Sequence, residues 1–273
     1  MQGHKEPLKH ACPGMEGYHM ALSNHFYTIT HSIRPKGGCF PASRNGYAFC
    51  GILMLISEIW KQWTLTFTIN HGTYSWWHFP FQLCSIPMYV CLAIGFLSSA
   101  RIRKHIPFLQ TRADRLCSLL KTFLMDFGML GGIFVFFDTS GMHYGYLPLT
   151  LHSYIWHILL IILGCVSGLS SNSCHSWKGW QFSVTLYLVC CVAATIFNLT
   201  FHRYGIINMF YISPHYYMHQ KVFCHITDAL GNGCGIAAYI TSSIIGAGLF
   251  HLMWNKINRL RIQKETPNKC QKL

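Results

Sequence analysis

The sequence predicts an all-α polytopic membrane bundle of about six transmembrane helices. Three observations predict it. Charged residues make up only 11% of the 273 and hydrophobic ones 51%, where a soluble domain carries roughly 25% charge. Apolar runs recur at about the 20-residue length that a bilayer core requires. Basic residues collect at the ends of those runs and alternate from one side to the other.

The runs cover about 46–67, 81–100, 117–138, 147–168, 180–201 and 234–254. The first is interrupted by Glu58, Lys61 and Gln62. The fourth holds no Lys, Arg, Asp or Glu, yet contains His152 and His157. Residues 1–45 have no apolar core of a signal peptide and read as an N-terminal cytoplasmic segment. Residues 255–273 read as a basic cytoplasmic tail.

Cations orient the bundle. Arg34, Lys36 and Arg44 precede the first run; Arg101, Arg103, Lys104, Arg112 and Arg115 follow the second; Lys178 follows the fourth; Lys256, Arg259, Arg261, Lys264, Lys269 and Lys272 follow the sixth. Few lie in the other connections. Six spans with both termini in the cytoplasm satisfy this pattern, whereas an odd number would misplace one cluster. The net charge of +13 is therefore explained by orientation and anionic lipid rather than by nucleic acid. The expected location is the cell membrane.

Most of the thirteen cysteines lie inside apolar runs, where they act as small hydrophobes. No spacing marks a disulfide framework or zinc ribbon. His215 and His219 stand four apart, but Pro214 and the aromatic surroundings disfavour a helix, and no third ligand is evident. No metal and no cofactor are expected. Small residues in "FGMLGG" are read as a close helix contact. The long connection 202–233, with "IINMFYISPHYYMH", is read as a re-entrant or interfacial hairpin over the outer mouth.

Ionisable groups inside spans are costly and therefore candidates for function. They are Glu58, Cys84, Asp126, His152 and His157, with Asp138, Asn198 and His251 at the margins. By topology Cys84 is within a turn of the outer surface. His152 lies roughly 8 Å and His157 roughly 15 Å below it, at 1.5 Å per residue. Five residues rotate a helix by about 140°, so the two histidines face different ways. A thiol, an imidazole and a carboxylate at one depth can form a nucleophile, base and orienting group for acyl transfer. The bland alternatives are a packing cysteine and histidines that bond a neighbouring carbonyl. A binding or transport protein, in which Glu58 and Asp126 line a pathway, is the competing class. No internal repeat of the kind common in carriers is present.

The runs "FQLCSIPMYVCL", "FLMDFGMLGGIFVFFDTSGMHYGYLPLTLHSYIWHILLI" and "INMFYISP" resemble the YwaF-like family of bacterial integral membrane proteins, and "HFYTITHSIRPKGGCF" resembles its approach to the first span. The resemblance covers about residues 25–254 and departs in "SPHYYMH". That family is distantly similar to a eukaryotic transmembrane fatty acyltransferase of ether phospholipids and, more faintly, to membrane hydrolases of fatty-acid esters. The resemblance implies Cys84 and His157 as the reacting pair, with His152 the alternative histidine; in an acyl transfer built on that pair, Asp126 or Asp138 is the expected orienting carboxylate. It implies a phospholipid or fatty-acyl substrate drawn from the membrane, with a lysophospholipid or water as acceptor.

Overall fold

The computed structural model describes residues 44–99, 107–170 and 173–270. The expected N-terminal segment, including "HFYTITHSIRPKGGCF", and the cations at 101–104 and 272 lie outside the described residues.

Every regular element among the described residues is helical. In chain order they are α1 (Arg44–Trp63), α2 (Ile86–Ser98), α3 (Pro107–Phe123), α4 (Met129–Phe134), α5 (Leu147–Leu169), α6 (Trp177–Phe201), α7 (Phe223–Leu230) and α8 (Asn232–Cys270). A π-helical turn at Thr64–Ile69 extends α1, and another at Leu124–Gly128 joins α3 to α4. Four stretches are long and apolar enough to cross a membrane: Thr111–Phe137, Leu147–Leu169, Trp177–Tyr204 and Asn232–Gln263.

The first two expected runs differ. α1 carries Glu58, Lys61 and Gln62 in its last two turns. α2 is only 13 residues long, or about 20 Å at 1.5 Å per residue, short of a bilayer core of about 30 Å. The residues before it, Phe81–Ser85, form a turn. At the other end of the chain the helix does not stop at 254: α8 runs on to Cys270. Its extension clamps α5, because Asn258 Nδ2 donates to Gly168 O at 3.0 Å and Arg261 Nη1 to Leu169 O at 3.0 Å. These bonds satisfy carbonyls that a helix end leaves open.

α5 shows the logic of the bundle. Leu151, Ile155, Ile158 and Ile162 point outward, a helical stripe that water would not tolerate and lipid would. Leu149, Ser153, Trp156, His157, Leu160, Leu163, Gly164 and Ser167 point inward. The polar groups are thus on the inside face. α1 likewise exposes Phe49, Ile52, Leu53, Ile56, Ile59 and Trp63.

α5 packs against α4 and the second π turn, and two glycines make that contact possible. A Cβ on Gly132 would lie 3.0 Å from Ile161 N and 3.1 Å from His157 O; one on Gly164 would lie 2.6 Å from Met129 Cβ. Backbone atoms cannot step aside as a flexible side chain can. Gly132→Ala is expected to cost about 1–3 kcal/mol through forced separation of the helices, read as a lower Tm in detergent. An unchanged Tm would mean the helices slide freely.

Candidate functional site

Polar side chains gather at the end of the bundle where α5 begins. α1 supplies Glu58, which is 3% exposed. Its Oε1 accepts from Lys61 Nζ at 2.7 Å and from Gln62 Nε2 at 2.7 Å. Its Oε2 is buried without a hydrogen-bond partner. Gln62 also donates to His78 O at 2.6 Å, tying the α1–α2 connection to this site. The His78 ring lies 5.7 Å from that of Tyr144.

Burial, reinforced by the positive charge of Lys61, lowers the His78 imidazole from its usual 6.5 to about 4. The unfolded chain therefore takes up a proton between those values where the folded protein does not. Stability is expected to fall as pH drops through 6.5 toward 4. Unfolding in detergent at pH 7 and pH 4.5 checks this, and His78→Gln should shrink the difference between them.

Cys84 sits in the turn ahead of α2, partly exposed. Its carbonyl accepts from Trp156 Nε1 at 3.0 Å, so α5 holds this turn through an indole. Lys61 and Glu58 are the charged side chains acting on the Cys84 thiol.

The two histidines diverge, as their five-residue spacing requires. His157 is buried, and its Nδ1 lies 2.7 Å from Ser153 O. A carbonyl can only accept, so Nδ1 carries the proton and Nε2 keeps its lone pair. His152 points toward α1, with its ring 5.6 Å from those of Trp60 and Trp156. Its Nε2 is buried without a partner.

Asp126 is not among these groups. It sits fully buried in the second π turn, and both its oxygens face His251 Nδ1 of α8, at 3.2 and 3.1 Å. The Trp180 ring lies 5.7 Å from the His251 ring. Asp138 is at the surface, 3.4 Å from Lys221 Nζ. Among the described residues Asp126 pairs with His251 and Asp138 with Lys221, rather than either with His157 or His152. Among the described residues no three His, Cys, Asp or Glu side chains come together as a metal-binding set. His215 stacks on His202 at 4.3 Å, while His219 lies beside Tyr217.

A non-helical segment closes this end of the bundle. Ile207, Asn208, Met209, Phe210, Ile212 and Ser213 are buried, so their backbone groups need partners inside protein. Two side-chain amides supply them. Asn198 of α6 accepts from Met209 N at 2.7 Å and donates to Met209 O at 3.1 Å. Gln82 accepts from Phe210 N at 2.7 Å and donates to Asn208 O at 2.9 Å. Asn208 in turn accepts from Ser213 N at 2.9 Å. Asn198→Ala would strand Met209 N, at a cost of about 1–3 kcal/mol, while Met209 O keeps the bond it accepts from Ile212 N at 3.3 Å. Faster amide exchange across 207–213 is the expected sign.

Asn198 and His251 were already marginal candidates in the sequence, whereas the roles of Gln82 and Trp156 were not visible there; the one signal for Gln82 was an amide inside an apolar run. No family model matches this chain, and neither a curated protein nor a solved structure matches it.

Proposed function

We propose that the chain is a six-span, YwaF-like protein of the cell membrane, with both termini cytoplasmic, that transfers a fatty-acyl group through Cys84. The observation that carries this reading is the setting of Cys84: a thiol on a turn, not in a helix, beside Lys61, Glu58 and the inward-facing end of α5. The inward cluster lies near the outer leaflet, where a phospholipid can enter laterally.

In the proposed reaction the Cys84 sulfur attacks the acyl carbonyl carbon as its proton passes to Nε2 of His157. The carbonyl electron pair moves onto oxygen. Collapse of the tetrahedral intermediate breaks the ester C–O bond, and the departing alkoxide takes the proton from His157. The thioester then passes its acyl group to a lysophospholipid hydroxyl or to water by the reverse sequence. His157 suits the base because its Nδ1–H is engaged by Ser153 O and its Nε2 is left to accept. His152 suits a contact with the lipid head group, with Trp60 and Trp156 around it.

A second reading, binding or transport of a small solute, is favoured by one observation: the buried, unpartnered Oε2 of Glu58. The test is an acyl-ester probe applied to the protein in nanodiscs, with the modified cysteine located by mass spectrometry. Acylation confined to Cys84, and absent in Cys84→Ala, supports acyl transfer. Labelling spread evenly over many cysteines, or none, moves the reading to solute binding.

A further inference from the structure

Asp126 and His251 meet in the interior of the helical frame. Asp126 stands near the middle of the membrane-length stretch Thr111–Phe137, and His251 well inside Asn232–Gln263. They are 0% and 5% exposed, and His251 Nδ1 lies 3.2 and 3.1 Å from the two carboxylate oxygens. A carboxylate oxygen accepts, so Nδ1 carries a proton and directs it at Asp126. A further proton then has Nε2 to bind. Without that proton the pair holds one buried negative charge. With it, an imidazolium faces a carboxylate and the pair is neutral overall. Ionisable groups at such depth are costly and mark sites of function by default, proton relays among them. Asp126 also sits in a π turn, a feature that recurs at functional sites.

The surroundings are equipped for both charge states. The Trp180 ring of α6 lies 5.7 Å from the His251 ring, and an aromatic face within about 6 Å attracts a cation. Gly248, one turn before His251, admits that indole: a Cβ there would lie 3.2 Å from Trp180 Cη2. Ser183 follows Trp180 by one turn on the buried stripe of α6. Phe127, next to Asp126, stacks with Trp180 at 6.5 Å and with Tyr187 at 4.5 Å, which brackets Ser183 opposite the π turn. The Ser183 Oγ is buried without a partner, so its proton is free for a carboxylate. A pair fixed in one charge state would need only one of these neighbours.

The other titratable groups around the pair have their own contacts. On α3, Lys121 stands over the Tyr47 ring, 5.1 Å from its centroid. On α5, Cys165 packs with Met125, Met129 and Trp254, and His157 Nδ1 is engaged by Ser153 O. On α6, Tyr187 stacks on Phe127. The closest approach of α2 to the π turn is made by Pro87, whose Cγ would lie 3.5 Å from a Cβ on Gly128. Two turns beyond His251 on α8, Asn258 lies 2.7 Å from His175 Nε2.

From this placement we propose that the Asp126–His251 pair is a proton-binding site of the bundle interior, which takes up and releases one proton at His251 Nε2. The proposal is independent of the acyl-transfer reading. Each uptake or release changes the charge at the joint between the π turn and α8, whereas a purely structural pair keeps one state.

The experiment is solid-state NMR of the protein in bilayers, labelled with nitrogen-15 histidine, from pH 9 to pH 5. The His251 signals are those missing from His251→Gln. If that variant does not fold, Trp180→Phe identifies them, because loss of the indole shifts the resonances of the ring beside it. The expected result is that the His251 Nε2 signal moves from the acceptor to the protonated position within this range. In Asp126→Asn, which keeps the shape of the side chain, the midpoint should be displaced by at least about one pH unit. A wild-type Nε2 signal that holds one position throughout overturns the proposal and leaves a structural pair. An unchanged midpoint in Asp126→Asn also overturns it, because the carboxylate then has no part in binding the proton.

Discussion

His251→Leu is expected to destabilise the protein by about 3–5 kcal/mol, because it strands a fully buried carboxylate. Asp126 is 0% exposed, and His251 Nδ1 is within 3.2 Å of both its oxygens. With the imidazole gone, the carboxyl must either hold an uncompensated charge or take up a proton. The converse variant, Asp126→Leu, should cost less, since a histidine left alone can remain neutral. The double variant Asp126→Leu/His251→Leu should recover much of the loss, as replacement of buried pairs by apolar side chains often does. Thermal unfolding of the four proteins in one detergent measures this. If the double variant is as unstable as His251→Leu alone, the pair is not an energetic unit. The position of Asp126 inside a π turn is relevant, because such turns interrupt the regular helix ladder and often mark positions kept for a reason other than helix stability.

His157→Gln is the second large effect. In acyl transfer it should slow acylation of Cys84 by about 10²–10⁴-fold, the usual contribution of a positioned general base. Glutamine retains hydrogen-bonding capacity and much of the volume, so the bundle should stay folded. His152→Gln is the internal comparison. That ring faces Trp60 and the α1 side, not the inward stripe of α5. It should change the response to lipid head group far more than the rate on a simple ester. Equal loss in the two variants would remove the distinction drawn between them. A full rate in His157→Gln would require another base, and the Glu58 carboxylate beside Lys61 would be the next candidate.

Much of the helical frame can be read directly from the chain. The run at 147–168 becomes α5 at Leu147–Leu169, and the run at 180–201 becomes α6 at Trp177–Phe201. Length and apolarity suffice there, because a backbone in an apolar medium must bond to itself. Boundaries failed where that argument is weak. The second run continues apolar through Phe81–Ser85, but the chain turns there; hydropathy does not separate a helix from a buried turn whose backbone is bonded by Trp156 and neighbouring groups. The sixth run loses its apolarity after 254, while α8 simply continues, since Lys, Arg, Gln and Glu are good helix formers in water.

The sequence by itself determined which residues would be expensive to bury: Glu58, Cys84, Asp126, His152 and His157. It also determined, by the 3.6-residue period, that the two histidines of α5 diverge. Only the tertiary structure decided their partners. Asp126 meets His251 across 125 residues, and Gln82 meets Phe210 across 128. Helical phase is a local property, carried by each segment alone. When the outward face of a helix is as apolar as its inward face, periodicity no longer says which neighbour a polar group will meet. Packing between distant helices, set by close approaches such as that at Gly132, makes that choice.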